Sequence, residues 1–231
     1  MKIKIIKDGP YIVTGGIPLK ESIITPKGQG YEYREGKTYP VMEQYSLCRC
    51  GKSKNHPFCD GSHVEDGFKG KERASKETYF ERAVVYKGPD LDLIDDNRCG
   101  FARFCHTERG TVWQLIEKSD DEYCRALAIK GASECPTGRL LAVAKEGYFY
   151  EEDHEPGIEV LQDLEKEVAA GLYVKGGIQI EGEDGFLYEV RNRALLCRCG
   201  RSRNKPFCDG SHRNNFEHES AAFDLPPMKT K

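Results

Sequence analysis

Residues 48–63 read CRCGKSKNHPFCDGSH, and residues 197–212 read CRCGRSRNKPFCDGSH. Thirteen of the sixteen positions are identical, and the differences at 52, 54 and 56 leave every cysteine and the final histidine in place. The match extends upstream, where VTGGI at 13–17 corresponds to VKGGI at 174–178. The chain is therefore built on an internal repeat whose unit includes more than this stretch.

Short alternations of apolar and polar residues precede each copy and predict strands. The first copy has 31 residues between Gly16 and Cys48, whereas the second has 19 between Gly177 and Cys197. The extra segment is rich in Gly and Lys, so we expect a loop there. A strand-like run at 111–116 places Trp113 in a core. The predicted strands are Lys2–Ile6, Tyr11–Val13, Tyr45–Leu47, Tyr173–Lys175, Leu187–Val190 and Ala194–Leu196.

Each copy spaces four metal-binding side chains as Cys, one residue, Cys, eight residues, Cys, three residues, His. Two cysteines separated by one residue can reach the same metal only from a turn, and Gly51 or Gly200 supplies the needed freedom. A Cys3His set suits tetrahedral zinc or an iron-sulfur cluster with one histidine ligand. Zinc sites usually separate paired cysteines by two to four residues, which counts modestly against zinc.

The whole string resembles the CDGSH (NEET) family of 2Fe-2S proteins, and both copies match its motif throughout. The resemblance implies two 2Fe-2S clusters and an α+β fold, with an intertwined β-cap over cluster-binding ends. The family is usually homodimeric, so two copies in one chain imply a monomeric internal pseudo-dimer, with strands near Val13 and Val174 exchanged between halves. The implied ligands are Cys48, Cys50, Cys59 and His63 for one cluster, and Cys197, Cys199, Cys208 and His212 for the other.

A single histidine ligand has chemical consequences. Neutral imidazole in place of a thiolate removes one negative charge, which stabilises the reduced cluster and raises its potential. A protonated ring cannot bind metal, so we expect the Fe–N bond to be the weak point on acidification. We expect hydrogen bonds from four neighbouring side chains to orient the ring and tune the sulfurs. These are Asp60, Ser62, Asp209 and Ser211.

The segment between the copies carries Cys99, five residues, Cys105, and later Cys135-Pro136. It resembles a divergent single-cluster ferredoxin domain, which implies a third cluster of the 3Fe-4S or 4Fe-4S type. The candidate ligands are Cys99, Cys105, Cys124 and Cys135. The alternative is that these cysteines are buried small hydrophobes in a scaffold without metal. Three domains follow: the first repeat at 1–82, the ferredoxin-like insertion at 83–158 and the second repeat at 159–231.

Composition excludes several classes of function. The formal charge is −3, with 35 Lys plus Arg against 38 Asp plus Glu, which disfavours nucleic acid as a partner. No apolar run is long enough to cross a membrane, and residues 1–10 have no signal-like apolar stretch, so we expect a cytoplasmic protein without membrane attachment. Residues 64–82 are polar and carry Lys69, Lys71, Arg73 and Lys76, which predicts a solvated linker, with a basic docking face as the alternative.

No catalytic triad, phosphate loop or dinucleotide fingerprint is present, so we expect a protein that is not an enzyme. Electron transfer and delivery of iron-sulfur clusters are the two functions that the motifs favour. The corresponding partners are a redox protein or an apo iron-sulfur acceptor. A zinc-stabilised interaction module, colourless and without sulfide, is the alternative from a different class.

Overall fold

A computed structural model describes residues 1–214 as a strand-rich fold with short helices, which confirms the α+β class. The strands are β1 Lys2–Ile5, β2 Tyr11–Thr14, β3 Leu19–Lys27, β4 Gly30–Thr38, β5 Gln44–Leu47, β6 Val84–Lys87, β7 Leu91–Asp95, β8 His106–Thr107, β9 Gly110–Thr111, β10 Leu140–Ala144, β11 Phe149–Tyr150, β12 Gly157–Asp163, β13 Val168–Lys175, β14 Gln179–Glu181 and β15 Arg193–Leu196. The helices are α1 Ser62–Glu65, α2 Tyr79–Arg82, α3 Val112–Ile116, α4 Glu122–Ser133 and a 3-10 turn at Ser211–Arg213.

The repeat is visible in the strand register. Strands β2 and β5 pair antiparallel with Tyr11 opposite Leu47, and β13 and β15 pair antiparallel with Leu172 opposite Leu196. Tyr11 and Val13 alternate with more exposed neighbours, as expected for a strand with one buried face. Since β5 and β15 end one residue before the first motif cysteine, each pair delivers its motif from a fixed sheet edge.

The second half contributes strand β14 to the sheet of the first half, and the first half contributes the hairpin β3-β4 to the sheet of the second half. One sheet has the order β14-β1-β2-β5, and the other has the order β15-β13-β12-β3-β4. Strand β14 lies parallel to β1, and β3 lies parallel to β12. The strands of Val13 and Val174 stay in their own halves, so the exchange involves the next strands along the chain. Glycines at 15–16 and 176–177, all with positive φ, turn the chain at these points.

One hydrophobic core joins the two halves, because the inward faces of both sheets contribute to it. Its members include Ile3, Tyr11, Val13, Leu47, Ile158, Leu172, Val174 and Leu196. The middle segment forms its own sheet, β11-β10-β7-β6, on which α3 and α4 pack. Within residues 1–214, no helix has the length and apolar character needed to cross a membrane.

Several local predictions were wrong. The extra segment of the first copy forms the long hairpin β3-β4 rather than a loop, because Ile23 and Ile24 are buried against β12 and the middle segment. Residues 187–190 make only one bridge, between Leu187 and Glu181, and do not form a strand. Trp113 lies on helix α3, which begins at a capping box made by Thr111 and Gln114.

The segment at 64–82 is not a solvated linker throughout. Tyr79 on α2 is 1% exposed, and its hydroxyl donates to the backbone carbonyls of Ile94 and Arg139. Phe68 is also buried, beside Cys48 and Cys50. Buried apolar side chains therefore anchor this segment at Phe68 and at Tyr79.

Candidate metal centres

The predicted ligands of each motif lie in two pairs. In the first motif, the sulfurs of Cys48 and Cys50 are 3.7 Å apart, and Cys59 Sγ lies 3.4 Å from His63 Nδ1. The second motif repeats this arrangement, with 3.7 Å between the sulfurs of Cys197 and Cys199. The pair Cys208 Sγ and His212 Nδ1 is 3.3 Å apart. All of these cysteines are free thiols.

These separations fit two ligands on one tetrahedral metal. Thiolate and imidazole bonds of about 2.3 and 2.0 Å at a tetrahedral angle place two sulfurs about 3.8 Å apart, and a sulfur and a nitrogen about 3.5 Å apart. Within residues 1–214, no three or more His, Cys, Asp or Glu side chains form a group that could hold a single metal ion. Each motif therefore offers two ligand pairs rather than one four-ligand site.

Identical hydrogen bonds fix the backbone of both motif loops. Ser53 Oγ donates to the Phe58 carbonyl at 2.6 Å, and Ser202 Oγ donates to the Phe207 carbonyl at 2.7 Å. The amide of the first cysteine donates to the carbonyl of a proline, Pro57 or Pro206, at 2.8 Å in both copies. The loops are therefore held in shape by the protein itself.

The aspartates act on the backbone rather than on the histidine ring. Asp60 accepts hydrogen bonds from the amides of Lys54 and Ser62 and from the Ser62 hydroxyl, which lower the pKa of its carboxyl. Asp209 makes the same contacts with Arg203 and Ser211. The expectation that these side chains touch the ring is not met. They fix the turn that carries it.

Backbone amides supply the hydrogen bonds to the sulfurs. Gly51 N–H donates to Cys48 Sγ at 3.3 Å, and Lys52 N–H donates to Cys50 Sγ at 3.4 Å. A hydrogen bond between the paired thiols lowers the pKa of Cys48 to about 6 and raises that of Cys50. The pair therefore releases its first proton easily, which suits a metal ligand.

The sequence analysis missed the arginine between the paired cysteines. Arg49 and Arg198 are each 1% exposed. Arg49 donates to the carbonyls of Ile6 and Gly70, and Arg198 donates to the carbonyl of Ala170 at 2.9 Å. A buried arginine, bound to backbone carbonyls, therefore occupies the position between the paired cysteines in both copies. The sequence signal that could have identified it is an arginine between two predicted ligands in both copies.

The two motifs differ in exposure. Cys59 and His63 are half-buried, whereas Cys208 and His212 are each 2% exposed. Burial lowers the pKa of His212 to about 4, so its ring stays neutral in mild acid. The first motif therefore presents its Cys–His pair to solvent, and the second does not.

The loop that contains Cys99 and Cys105 covers the second motif. The Phe101 ring lies against Gly210, so a Cβ added at Gly210 would come within 2.1 Å of the ring. The guanidinium carbon of Arg213 lies 3.4 Å from the centroid of the same ring. Ala102 and Phe104 pack in the same cluster as Cys208. At the equivalent glycine of the first motif, Gly61, nothing lies within 4 Å of an added Cβ.

Three of the four middle cysteines influence one another. Burial, together with the charges of Cys135 and Cys99, raises the pKa of Cys105 to about 12. Cys124 is separate, since it lies in the first turn of α4, whereas Gly131 near the end of that helix contacts Cys105. Seven residues of helix correspond to about 10 Å. The structure therefore groups Cys99, Cys105 and Cys135, and leaves Cys124 in the core.

Comparison with known families agrees with this geometry. The family described as iron-binding zinc finger CDGSH type matches residues 8–64 and 170–213. The family described as divergent 4Fe-4S mono-cluster matches residues 86–145. Neither the curated proteins nor the solved structures gave a match to the chain. The chain is therefore an iron-sulfur protein in which two regions match the CDGSH family and a divergent 4Fe-4S module lies between them.

Proposed function

We propose that this protein is a non-enzymatic electron carrier that holds one 2Fe-2S cluster at each CDGSH motif. The observation that carries the proposal is the pairing of the ligands, at 3.7 and 3.4 Å in one motif and at 3.7 and 3.3 Å in the other. Two pairs suit two metals, which is the requirement of a binuclear cluster. When bound, such a cluster accepts and returns one electron.

The surrounding residues suit a centre whose charge changes. Backbone amides of Gly51 and Lys52 point at the sulfurs, and the buried guanidinium of Arg49 lies on the residue between two thiolates. Fixed amide donors stabilise added negative charge on the sulfurs without rearrangement. The neutral histidine ligand acts in the same direction, so these residues favour a potential above that of a four-cysteine site.

The proposal extends to the middle module and to the symmetry of the chain. Cys99, Cys105 and Cys135 are the three residues we assign to a third cluster, of the 3Fe-4S type or of the 4Fe-4S type with a ligand other than Cys124. The exchange of the hairpin β3-β4 in one direction and of β14 in the other supports an internal pseudo-dimer, in which the two halves of one chain take the places of two subunits.

Delivery of a cluster to an apoprotein is the second candidate, and one observation favours it. Cys59 and His63 are half-buried, so an acceptor thiol can approach this pair from solvent. The pair of Cys208 and His212 is closed to such an approach. If delivery occurs, it should therefore involve the first motif alone.

Redox cycling of anaerobically purified protein tests the main proposal. We expect dithionite to bleach the visible spectrum and air-free ferricyanide to restore it, with no loss of iron over several cycles. Release of iron on reduction, or a colourless protein that contains zinc, would contradict electron transfer. Incubation of the oxidised protein with an apo-ferredoxin tests delivery, and a spectrum appearing on the acceptor would favour the second candidate.

A further inference from the structure

A groove of about 720 Å³ separates the loop after β1 from the second motif. Six exposed cationic side chains line it, although the chain as a whole carries a charge of −3. Two acidic residues, Asp8 and Glu183, also contribute to the lining. We name this feature the basic groove, and its exposed cations are Lys7, Lys69, Lys71, Arg73, Arg201 and Arg203.

Backbone hydrogen bonds hold the walls of the basic groove together. The amides of Arg73 and Ala74 donate to the Lys205 carbonyl at 2.8 and 3.0 Å, which joins the segment after the first motif to the loop of the second. The Gly70 amide donates to Asp8 Oδ1 at 2.8 Å and joins that segment to the loop after β1. The groove is therefore formed before any partner binds.

Most cations of the basic groove form no salt bridge with any residue that the structure describes. Within residues 1–214, only Lys69 of the six forms a salt bridge, with its Nζ 3.7 Å from Asp8. Lysines elsewhere are closely paired, for example Lys27 with Glu32 at 2.6 Å and Lys87 with Asp92 at 2.7 Å. Like charges that outnumber their counter-charges repel one another, so an anionic surface would be bound favourably here.

Both cluster-binding loops border the basic groove. Arg201 and Arg203 lie between Cys199 and Cys208 in the second motif. On the other wall, the carbonyl of Gly70 accepts a hydrogen bond from Arg49, the buried arginine between the paired cysteines of the first motif. A partner seated in the groove would therefore contact the backbone segments that hold both centres.

We propose that the basic groove docks the acidic face of a redox partner protein, and this inference rests on the proposed electron-transfer function. Complementary charge steers diffusing proteins together and fixes their orientation, which suits a short-lived electron-transfer complex. Single-stranded nucleic acid is less well matched, because such sites place aromatic rings among their cations and the lining of this groove has none.

Electron transfer from a reduced acidic plant-type ferredoxin, measured by stopped flow, tests the inference. We expect the second-order rate to fall as the salt concentration rises from about 0.05 M to about 0.3 M. Lys71→Glu should lower the low-salt rate about threefold to tenfold, and Lys71→Glu combined with Arg73→Glu should lower it further. Lys118→Glu, on an exposed lysine outside the groove, changes the net charge equally and should stay within about twofold.

Reduction by dithionite separates the two proposals. If every variant is reduced reversibly by dithionite but Lys71→Glu and Lys118→Glu give equal rates with ferredoxin, the docking surface is wrong and the function stands. If dithionite does not reduce the clusters reversibly, the function itself fails. Tight binding of a single-stranded DNA oligonucleotide at physiological salt, lost in Lys71→Glu, would also overturn the inference in favour of nucleic acid.

Discussion

The two CDGSH motifs share thirteen of sixteen residues, the same internal hydrogen bonds and the same ligand pairs, but they have different surroundings. In the first motif, Gly61 faces open space and His63 is half-buried. In the second, Phe101 from the middle module lies on Gly210, and His212 is buried. The motif sequence therefore determines which candidate ligands lie together. The inserted module determines which of the two motifs is open to solvent and to partners.

The largest expected effect concerns the contact between the middle module and the second half. Arg193 on β15 has no exposed side-chain area and donates to the carbonyls of Ala132, Ser133 and Cys135 and to Glu151. We expect Arg193→Ala to lower the free energy of unfolding by about 3–5 kcal/mol, because it leaves several buried carbonyls and the half-buried carboxylate of Glu151 unpaired.

Gln44 is the matched control for Arg193. It lies opposite Thr14, as Arg193 lies opposite Lys175, but its side chain is exposed. Gln44→Ala should change stability by less than about 0.5 kcal/mol in the same denaturant titration. An equal loss in the free energy of unfolding for Arg193→Ala and Gln44→Ala would show that the Arg193 hydrogen bonds do not hold the second half to the middle module.

The equivalent glycines of the motifs give the next largest difference. Both have positive φ, so alanine at Gly61 should cost about 1–2 kcal/mol through backbone strain alone. Alanine at Gly210 also meets the Phe101 ring, which should add about 1–3 kcal/mol. Denaturant unfolding of Gly61→Ala and Gly210→Ala measures the difference, and the double variant Gly210→Ala/Phe101→Ala should recover part of it. No recovery would contradict the covering contact.

Removal of the covering ring should make the second site resemble the first. Phe101 is 36% exposed, so Phe101→Ala should cost only about 1–2 kcal/mol of stability. Its main effect should be faster loss of visible absorbance in acid, because water reaches His212. Tyr148→Ala removes a ring that is 64% exposed and away from the motif, and it should leave the acid decay unchanged. An identical decay in both variants would argue against protection by Phe101.

Acidification should separate the two sites in the unmodified protein. Burial lowers the pKa of His212 to about 4, so the folded protein binds fewer protons there than the unfolded chain between about pH 6.5 and 4. The stability of the folded state therefore falls as the pH falls through this window, but the neutral ring needed for metal binding persists. Solvent reaches the half-buried His63 directly.

We therefore expect biphasic loss of the visible spectrum at about pH 5, with rates about tenfold apart, or about 1.4 kcal/mol in barrier. His63→Cys should abolish the fast phase, and His212→Cys should leave it in place. A fast phase that disappears only in His212→Cys would reverse the assignment of the labile site.

Sequence alone identified the repeat and the candidate ligands that lie in pairs, because metal-binding spacing and the identity of thirteen of sixteen motif residues are local properties. It did not predict that Phe101 covers Gly210, since the two lie more than a hundred positions apart and their contact depends on tertiary packing. It also mistook Trp113 for a strand residue, because a short apolar run suits either a strand or a helix and the capping box at Thr111 was not recognised. The hairpin β3-β4 was missed because its Gly and Lys content conceals buried Ile23 and Ile24.

The most direct test of the account is the iron, sulfide and zinc content of anaerobically purified protein, compared with the variants Cys50→Ser and Cys199→Ser. A binuclear cluster at each motif predicts that each variant loses about two irons and two sulfides per chain, from a total of about four, or of seven to eight if the middle module also holds a cluster. Loss of a single zinc per variant, with no sulfide in the parent protein, would contradict it.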